Sequence, residues 1–316
     1  MILVYVDHDR GVLDEPSLQA LTFAKRLDAD VHAFVAGADG EGVAAGLGEY
    51  GVSVAYVATH DGIKDYTPQA AARALAELAT TKGAKVVLAT SGARGNEVLA
   101  HTAAMLDEPF AAECTEIALG SPANVTRSRW GGNMLEEARV HFNAVLVATV
   151  PPFTVNAEAA PTSCTVQTFT PSLSDADVAV RIVDRVAGTT TGVSLAEAKV
   201  IVSGGRGVGA AENWGPLEDL ASLLKAALGC SRVVTSNGWR PHSEQVGQTG
   251  TKVAPDLYIA SGISGATQHI AGCKKSKTIL AINTDPEAPI MAHADYAVIG
   301  DLHEVLPAIA SAIRAR

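Results

Sequence analysis

The sequence predicts an α/β protein made of two doubly wound α/β domains. The chain has 316 residues, a length that usually means two domains. Its apolar content of 47% is enough to fill a core in each. Short apolar runs alternate with amphipathic segments of helical period, which is typical of parallel sheets covered by helices. We place the domains at residues 1–190 and 191–316, with a connector at 171–196.

The N-terminal domain begins with a regular alternation of strands and helices. Strands are predicted at 2–7, 30–36, 52–58 and 84–90, and helices at 15–28, 40–49, 67–82 and 94–107. This order favours a mostly parallel sheet with helices on both faces. From 112 to 170 the pattern changes to strand-like runs with few helices, at 111–119, 124–130, 135–150 and 164–170. We therefore expect an added antiparallel or mixed section of the same sheet.

The connector and the C-terminal domain continue the α/β pattern. Residues 178–187 of the connector are compatible with an edge strand, and GTTTG at 188–192 with a loop. Beyond them, the predicted order is strand 198–205, helix 216–228, strand 231–235, loop 237–250, strand 256–260, helix 265–272, strands 277–282 and 295–299, and helix 302–315. This order predicts a second doubly wound unit.

Composition excludes several classes of protein. A net charge of −10 and an aromatic content of 5% argue against nucleic acid as a partner, since its binding needs basic side chains and stacking platforms. The four cysteines lie far apart, without the spacing of a zinc site or a disulfide framework, so a reducing, cytoplasmic location is expected and no metal. No apolar run is long enough for membrane insertion, and MILVYVD at the start predicts a strand rather than a signal peptide.

The most informative stretch is 245–269, which holds two glycine-rich runs on either side of a short apolar strand. VGQTG at 246–250 and SGISGATQH at 261–269 combine glycine with hydroxyl and amide side chains. Glycine lets the backbone approach a ligand, and the polar side chains offer hydrogen bonds, which suits a flat, phosphate-bearing ligand. SGGRG at 203–207 lacks a full GxGxxG motif. The segment could therefore be either a plain turn or a phosphate contact. No catalytic residue set stands out, as expected where a bound cofactor does the chemistry.

These runs resemble the FAD-binding half of the electron transfer flavoprotein alpha subunit. The resemblance covers 199–316 and rests on the order and spacing of SGGRG at 203–207, SR at 231–232, VGQTG at 246–250, SGATQH at 264–269, AINTDPEAPI at 281–290, ADY at 294–296 and Asp301. Residues 1 to about 190 resemble the family only in their alternation of strands and helices. The resemblance implies that the C-terminal domain is a Rossmann-like, FAD-binding domain.

The resemblance also implies a role for each motif, beside a plainer structural one. Arg206 would reach the FAD diphosphate. Arg232, which follows Ser231, would lie against the isoalloxazine ring. Without the resemblance, Arg232 would be interpreted as a surface arginine. The hydroxyl of Thr249 would form a hydrogen bond with ring atom N5. His269 would approach O2, either protonated or as a hydrogen-bond donor. Without the resemblance, His269 would be interpreted as a packing residue. The remaining implied FAD contacts are Val246, Gly247 and Gln248 at the ring, Ser264, Gly265, Ala266, Thr267 and Gln268 at a helix start, and Asn283, Asp301 and Leu302 toward the adenosine. Asp301 also suits a helix N-cap.

The implied function is that of an electron carrier rather than a metabolic catalyst. The chain would pair with a beta subunit holding AMP or a second FAD, with the N-terminal domain in contact with it. It would take electrons one at a time from dehydrogenases, such as acyl-CoA dehydrogenases, and pass them to a quinone reductase. Two alternatives stay open. One is an electron-bifurcating complex that uses NADH and a second FAD, and the other is a non-redox module that binds NAD. The connector would act as a hinge.

Overall fold

The computed structural model describes residues 1–28, 30–184 and 194–315. The chain divides into two compact units, Met1–Arg185 and Val186–Arg316, which we call domain 1 and domain 2. Each unit is built on a parallel sheet with packed helices, so the predicted class of two α/β domains is confirmed.

Domain 1 is organised around a seven-stranded parallel sheet. In chain order, its elements are β1 (Ile2–Tyr5), β2 (His8–Asp9), β3 (Val12–Leu13), α1 (Pro16–Leu27), β4 (Val31–Ala36), α2 (Glu41–Gly46), β5 (Val54–Ala58), α3 (Pro68–Lys82), β6 (Val86–Thr90), α4 (Ala93–Leu106), β7 (Phe110–Ala111), β8 (Cys114–Ala118), β9 (Ala123–Arg129), β10 (Met134–Val140), β11 (Leu146–Val150) and β12 (Thr165–Phe169). The sheet runs β12-β5-β4-β1-β6-β11-β7.

Both faces of this sheet are covered by helices. Alternate side chains of β1 point to opposite faces, as the two-residue period of a strand requires. Ile2 and Val4 join a core with α1 and α2, whereas Leu3 and Tyr5 join a second core with α3 and α4. A strand buried on both faces has a continuous apolar sequence, which explains why ILVY and VVLAT are so readily recognised as strands.

The expected extension of the sheet at 112–170 is wrong in part. β8, β9 and β10 form a separate three-stranded antiparallel sheet, while β11 and β12 join the parallel sheet as ordinary members. β10 is exposed along most of its length on both of its faces. Because no second layer covers β10, its sequence has no apolar pattern that would assign it to one sheet. The sequence therefore does not distinguish the antiparallel sheet from the parallel sheet.

Domain 2 is a five-stranded parallel sheet with helices on both sides. Its elements are β13 (Val200–Gly204), α5 (Gly215–Leu224), β14 (Ala227–Cys230), α6 (Arg232–Ser236), β15 (Leu257–Ser261), α7 (Thr267–Cys273), β16 (Ile279–Asn283), β17 (Tyr296–Ile299) and α8 (Leu302–Arg314). The strand order is β14-β13-β15-β16-β17. Val202 and Ile259 pack under α5 and α8, whereas Ile201 and Tyr258 pack under α7.

Two local predictions are wrong. Residues 231–235 were expected to form a strand, but the strand is β14 and the RVVTS run forms α6. Val233, Val234 and Thr235 have β-branched side chains and favour strands locally, yet burial of Val234 under the α5 side of the sheet overrides that preference. Of the predicted edge strand at 178–187, residues 178–184 are not a strand. Residues 185–187, like the GTTTG loop at 188–192, lie outside the described residues.

The strand order of domain 2 predicts where a ligand would lie. The chain passes from β13 to β14 on one side and then to β15 on the other, so the order reverses between β13 and β15. Open α/β sheets bind ligands at such a reversal, at the carboxyl ends of the strands. None of the helices in the described part of the chain is long and apolar enough to cross a membrane.

Candidate functional site

A cavity of about 940 Å³ opens at the carboxyl ends of the domain 2 strands. Every strand of the sheet contributes the segment that follows it. The contributions are Arg206 and Gly207 after β13, Ser231 to Val233 after β14, Gly262 to Ser264 after β15, Asn283 to Asp285 at the end of β16, and Gly300 to His303 after β17. The loop 245–249 and α7 complete the wall. This volume is at the upper end of the range of cofactor pockets.

The structure brings together all but two of the sixteen residues that the resemblance implied. Gly265 and Thr267 do not line the cavity. Gly265 has a φ of +83° and turns toward the backbone of Ile290, where an added Cβ would lie 2.3 Å from the amide nitrogen. Thr267 begins α7 with an exposed side chain. Both residues shape the loop rather than face the space beside it.

Two arginines give the cavity its positive charge. Arg206 and Arg232 are exposed at its wall. Neither guanidinium makes a hydrogen bond or an ion pair with the residues that the structure describes. In contrast, Arg240 in the same domain is held by Glu218 and Glu244 at 2.7 Å and lies over the Trp214 ring. The two cavity arginines are therefore free to bind an anionic ligand.

The loop 245–251 is fixed to its neighbours through backbone hydrogen bonds. The Val246 amide donates to the carbonyl of Cys230 at the end of β14, at 2.9 Å. The Gln248 amide donates to the carbonyl of Gln268 in α7, at 2.7 Å. Gly247, with a φ of +150°, lies directly against Gly272 of α7. These contacts place Thr249 at the cavity wall.

Gln245 connects Thr249 to α6. Its amide nitrogen Nε2 donates to Thr249 Oγ1 at 3.0 Å, and its Oε1 accepts from Thr235 Oγ1 at 2.6 Å. The Gln245 side chain lines the cavity and the residue is only 2% exposed. The sequence alone does not single out Gln245, although this residue stands directly before the VGQTG motif.

His269 is buried and neutral. Its Nε2 lies 2.9 Å from the hydroxyl of Tyr258, which is itself fully buried. Burial lowers the pKa of His269 to about 4, against a smaller opposing effect of the Val246 backbone. Burial also raises the pKa of Tyr258 well above its usual range. Of the two forms predicted for His269, burial therefore favours the neutral imidazole over the protonated one. When the Tyr258 hydroxyl donates to Nε2, the imidazole hydrogen resides on Nδ1.

This neutral histidine predicts a pH dependence of domain 2. The unfolded imidazole takes up a proton near pH 6.5, whereas the folded one does so only near pH 4. The unfolded state binds more protons in this window, so the free energy of unfolding should fall as the pH drops from 6.5 to 4, by about 3 kcal/mol in total. Urea unfolding of domain 2 at several pH values measures this slope. His269→Gln should flatten it, and an unchanged slope in that variant would contradict the assignment.

Asn283 and Asp301 also have structural duties at the cavity wall. The side-chain nitrogen of Asn283 donates to the Ile263 carbonyl at 2.9 Å, and its Oδ1 accepts from the Asp285 amide at 3.1 Å. It thereby ties the ends of β15 and β16 together. Asp301 caps α8 by accepting from the His303 amide at 2.9 Å, which confirms its predicted role as N-cap.

Fourteen further residues of the described part of the chain line the cavity without having been selected as FAD contacts. They are Gly207, Val233, Ser236, Asn237, Gln245, Gly262, Ile263, Ile282, Thr284, Asp285, Ala288, Pro289, Gly300 and His303. Eight of them lie inside the motifs quoted above, and most of the others directly adjoin a selected residue. A position at the carboxyl end of a predicted parallel strand could have identified these residues, because all of these strand ends lie at the same edge of the sheet.

Comparison with known proteins assigns both domains to one family. The family described as "Electron transfer flavoprotein domain" matches residues 2–174, and "Electron transfer flavoprotein FAD-binding domain" matches residues 194–274. The second match contains the segments after β13, β14 and β15 and the loop 245–251. The family is thus matched over most of the chain.

Full-length relatives agree with these matches. The electron transfer flavoprotein subunit alpha of Mycobacterium tuberculosis is 39% identical, over 100% of this chain and 98% of the relative. That of Pseudomonas aeruginosa is 37% identical over 99% of both chains. Protein FixB of Clostridium saccharobutylicum is 34% identical over 97% of this chain and 94% of the relative. With both domains matched, the chain belongs to the electron transfer flavoprotein family as an alpha subunit, and its cofactor is FAD.

Proposed function

We propose that the cavity of domain 2 holds FAD and that the chain acts as a one-electron carrier in a heterodimer with a beta subunit. The observation that carries the proposal is the pair of free guanidinium groups, Arg206 and Arg232, in a cavity of about 940 Å³. FAD has a charged diphosphate and a flat ring system, so it needs both a basic region and a deep, partly apolar wall. Val246, Ile263 and Leu302 supply apolar surface to the same cavity.

The residues around the cavity fit this cofactor without serving as catalysts. When bound, FAD supplies the redox chemistry, since its ring accepts and releases electrons. Arg206 would hold the diphosphate bidentately, and Arg232 would favour negative charge on the ring. Thr249 would offer a hydrogen bond at the wall, beside the neutral imidazole of His269. Asn283 and Asp301 would support the adenosine end.

The partners follow from the same reasoning. We propose that domain 1 contacts the beta subunit, which carries AMP or a second FAD. Electron donors would be dehydrogenases, with acyl-CoA dehydrogenases of fatty acid oxidation as one class, and a quinone reductase would be an acceptor. A cytoplasmic location fits the four cysteines, none of which forms a disulfide.

An anaerobic dithionite titration of the purified heterodimer, followed by visible absorption, tests the proposal. A single flavin reduced in two resolved one-electron stages is the expected result. Two flavins, one of them reduced in a single two-electron stage, would instead support the alternative of a bifurcating complex with NADH as donor. A heterodimer that stays colourless after FAD is added would overturn both and leave a module that binds NAD.

A further inference from the structure

Thr235, Gln245 and Thr249 form a continuous chain of hydrogen bonds that ends at the cavity. We call this chain the Thr235–Gln245–Thr249 relay. Its links are 2.6 Å from Thr235 Oγ1 to Gln245 Oε1 and 3.0 Å from Gln245 Nε2 to Thr249 Oγ1. Thr235 does not line the cavity, whereas Gln245 and Thr249 do. Thr235 therefore acts on a ligand through Gln245 and Thr249, or through its bond to the carbonyl of Arg232.

The middle residue is held in place by its backbone. The backbone N–H of Gln245 donates to the backbone carbonyl of His242 at 2.9 Å. The backbone carbonyl of Gln245 accepts from the backbone N–H of Thr251 at 2.7 Å. With the residue 2% exposed, the side-chain amide has little access to water. Because an unpaired buried amide is costly, its oxygen and its nitrogen each require a protein or ligand partner.

Hydroxyl groups at both ends allow the relay to run in either direction. Each threonine hydroxyl has one proton to donate and lone pairs to accept with. In one direction Thr235 donates to Gln245, Gln245 donates to Thr249, and the Thr249 proton is left to donate into the cavity. Rotation of the Gln245 amide by about 180° reverses the order. Thr249 then donates to Gln245 and presents only a lone pair to the cavity.

In the reversed direction, the hydroxyl proton of Thr235 has an acceptor outside the relay. Thr235 Oγ1 lies 2.9 Å from the carbonyl oxygen of Arg232, in addition to its contact with Gln245. When Gln245 turns its nitrogen toward Thr235, the Thr235 hydroxyl can donate to that carbonyl and accept from the amide. In both directions each polar atom of the relay keeps at least one hydrogen-bond partner, and no proton changes its heavy atom.

We propose that the Thr235–Gln245–Thr249 relay is a reversible switch, with Gln245 as its positioning residue, that lets Thr249 either donate to or accept from FAD. This inference rests on the proposed placement of FAD in the cavity. When bound, FAD would supply a ring nitrogen that accepts a hydrogen bond in the oxidised state and that would donate one after uptake of two electrons from the electron donor and a proton from solvent. A hydroxyl that can reverse its role remains bonded to such a ring in both redox states. A lone surface hydroxyl would have to exchange partners with water to do the same.

Infrared difference spectra of the heterodimer, reduced minus oxidised, test the reversal directly. With glutamine labelled by ¹³C at the side-chain carbonyl, a shift of a glutamine carbonyl band on reduction is expected. The band should disappear in Gln245→Met, which has a similar length and no amide, and change position in Thr235→Val. Thr235→Ser keeps the hydroxyl and should restore the wild-type band. A spectrum without a band that depends on Gln245 would overturn the proposal.

A double-mutant cycle tests the coupling in solution. Thr235→Val and Thr249→Val should each weaken the affinity for FAD about fivefold, the value of one ordinary hydrogen bond. Because the two side chains act through Gln245, the double variant should lose less than the product of the single losses. In the Gln245→Met background, Thr235→Val should have a smaller effect than in the wild type, limited to its lost bond to the Arg232 carbonyl. Strictly multiplicative losses, or a Thr249→Val variant with wild-type affinity, would overturn the relay.

These outcomes are separate from those of the proposed carrier function. A heterodimer that binds one FAD and shows two one-electron stages, yet lacks the coupling, would overturn the relay alone. A heterodimer that binds no FAD would overturn the placement of FAD and the relay together. Thermal unfolding of each variant ensures that a lost affinity does not reflect an unfolded domain 2.

Discussion

Gly272→Ala should remove most FAD binding and destabilise domain 2. The Cβ of an alanine at this position would lie 2.4 Å from the amide nitrogen of Gly247 and 2.5 Å from its Cα. These are backbone atoms, so no side-chain rotation relieves the clash. Either α7 or the loop 245–251 must move, and overpacking of this kind costs about 1–3 kcal/mol or more. Because Gln248 and Thr249 lie on that loop, we expect the affinity for FAD to fall at least about tenfold.

A second helical glycine provides the matched control. Gly42 lies in α2 of domain 1, and an added Cβ would meet nothing within 4 Å. Gly42→Ala should raise stability by about 0.5–1 kcal/mol, the usual gain for alanine over glycine in a helix, and leave FAD binding unchanged. Urea unfolding and flavin fluorescence titration of both variants measure the two effects. Wild-type affinity in Gly272→Ala would show that the loop can shift without loss to the site.

Replacement of either cavity arginine should weaken FAD binding, but with different redox signatures. Arg206→Met and Arg232→Met each remove a free guanidinium from the wall. Charge-assisted hydrogen bonds contribute about 1.5–3 kcal/mol, so we expect losses of roughly 10-fold to 150-fold. If Arg206 holds the diphosphate, its loss should weaken oxidised and reduced FAD equally. If Arg232 lies near the ring, its loss should weaken the reduced, more negative form further and lower the midpoint potential.

An exposed arginine away from the cavity serves as the control for Arg206→Met and Arg232→Met. Arg139 on β10 is exposed and belongs to domain 1. Arg139→Met should leave both the affinity and the midpoint potential unchanged. Dissociation constants at two ionic strengths, together with a potentiometric titration, complete the measurement. Equal shifts of the midpoint potential in Arg206→Met and Arg232→Met would contradict the division of roles between them.

The main architecture was predictable because its signals are local. Strands such as ILVY in β1 and LYIAS in β15 are buried on both faces, and their apolar runs are evident in the sequence. The glycine-rich segments were also recognisable, since backbone turned toward a ligand or a neighbouring chain favours glycine. The resemblance to the electron transfer flavoprotein family, rather than these local signals, placed Arg206, Arg232 and Thr249 at one site.

The remaining features depend on tertiary contacts that a linear pattern does not contain. RVVTS forms α6 because the sheet buries Val234, although its β-branched residues favour a strand. The protonation state of His269 follows from burial beside Tyr258. Gly265 belongs to a recognised motif but turns toward Ile290. Gln245 carries no motif signal of its own, and its importance follows from bonds to residues ten positions before it and four after it.

The parallel order of the domain 2 sheet makes the cavity depend on the whole sheet. Its wall draws on segments from Arg206 to His303, which meet only when all five strands have docked. Non-local pairings of this kind form slowly, and no partly assembled sheet presents a complete wall. FAD would therefore bind the finished domain alone and stabilise it by mass action, by about 2.7 kcal/mol at a free concentration one hundred times the dissociation constant. The supply of flavin in a cell would then determine how much of the newly made chain escapes proteolysis.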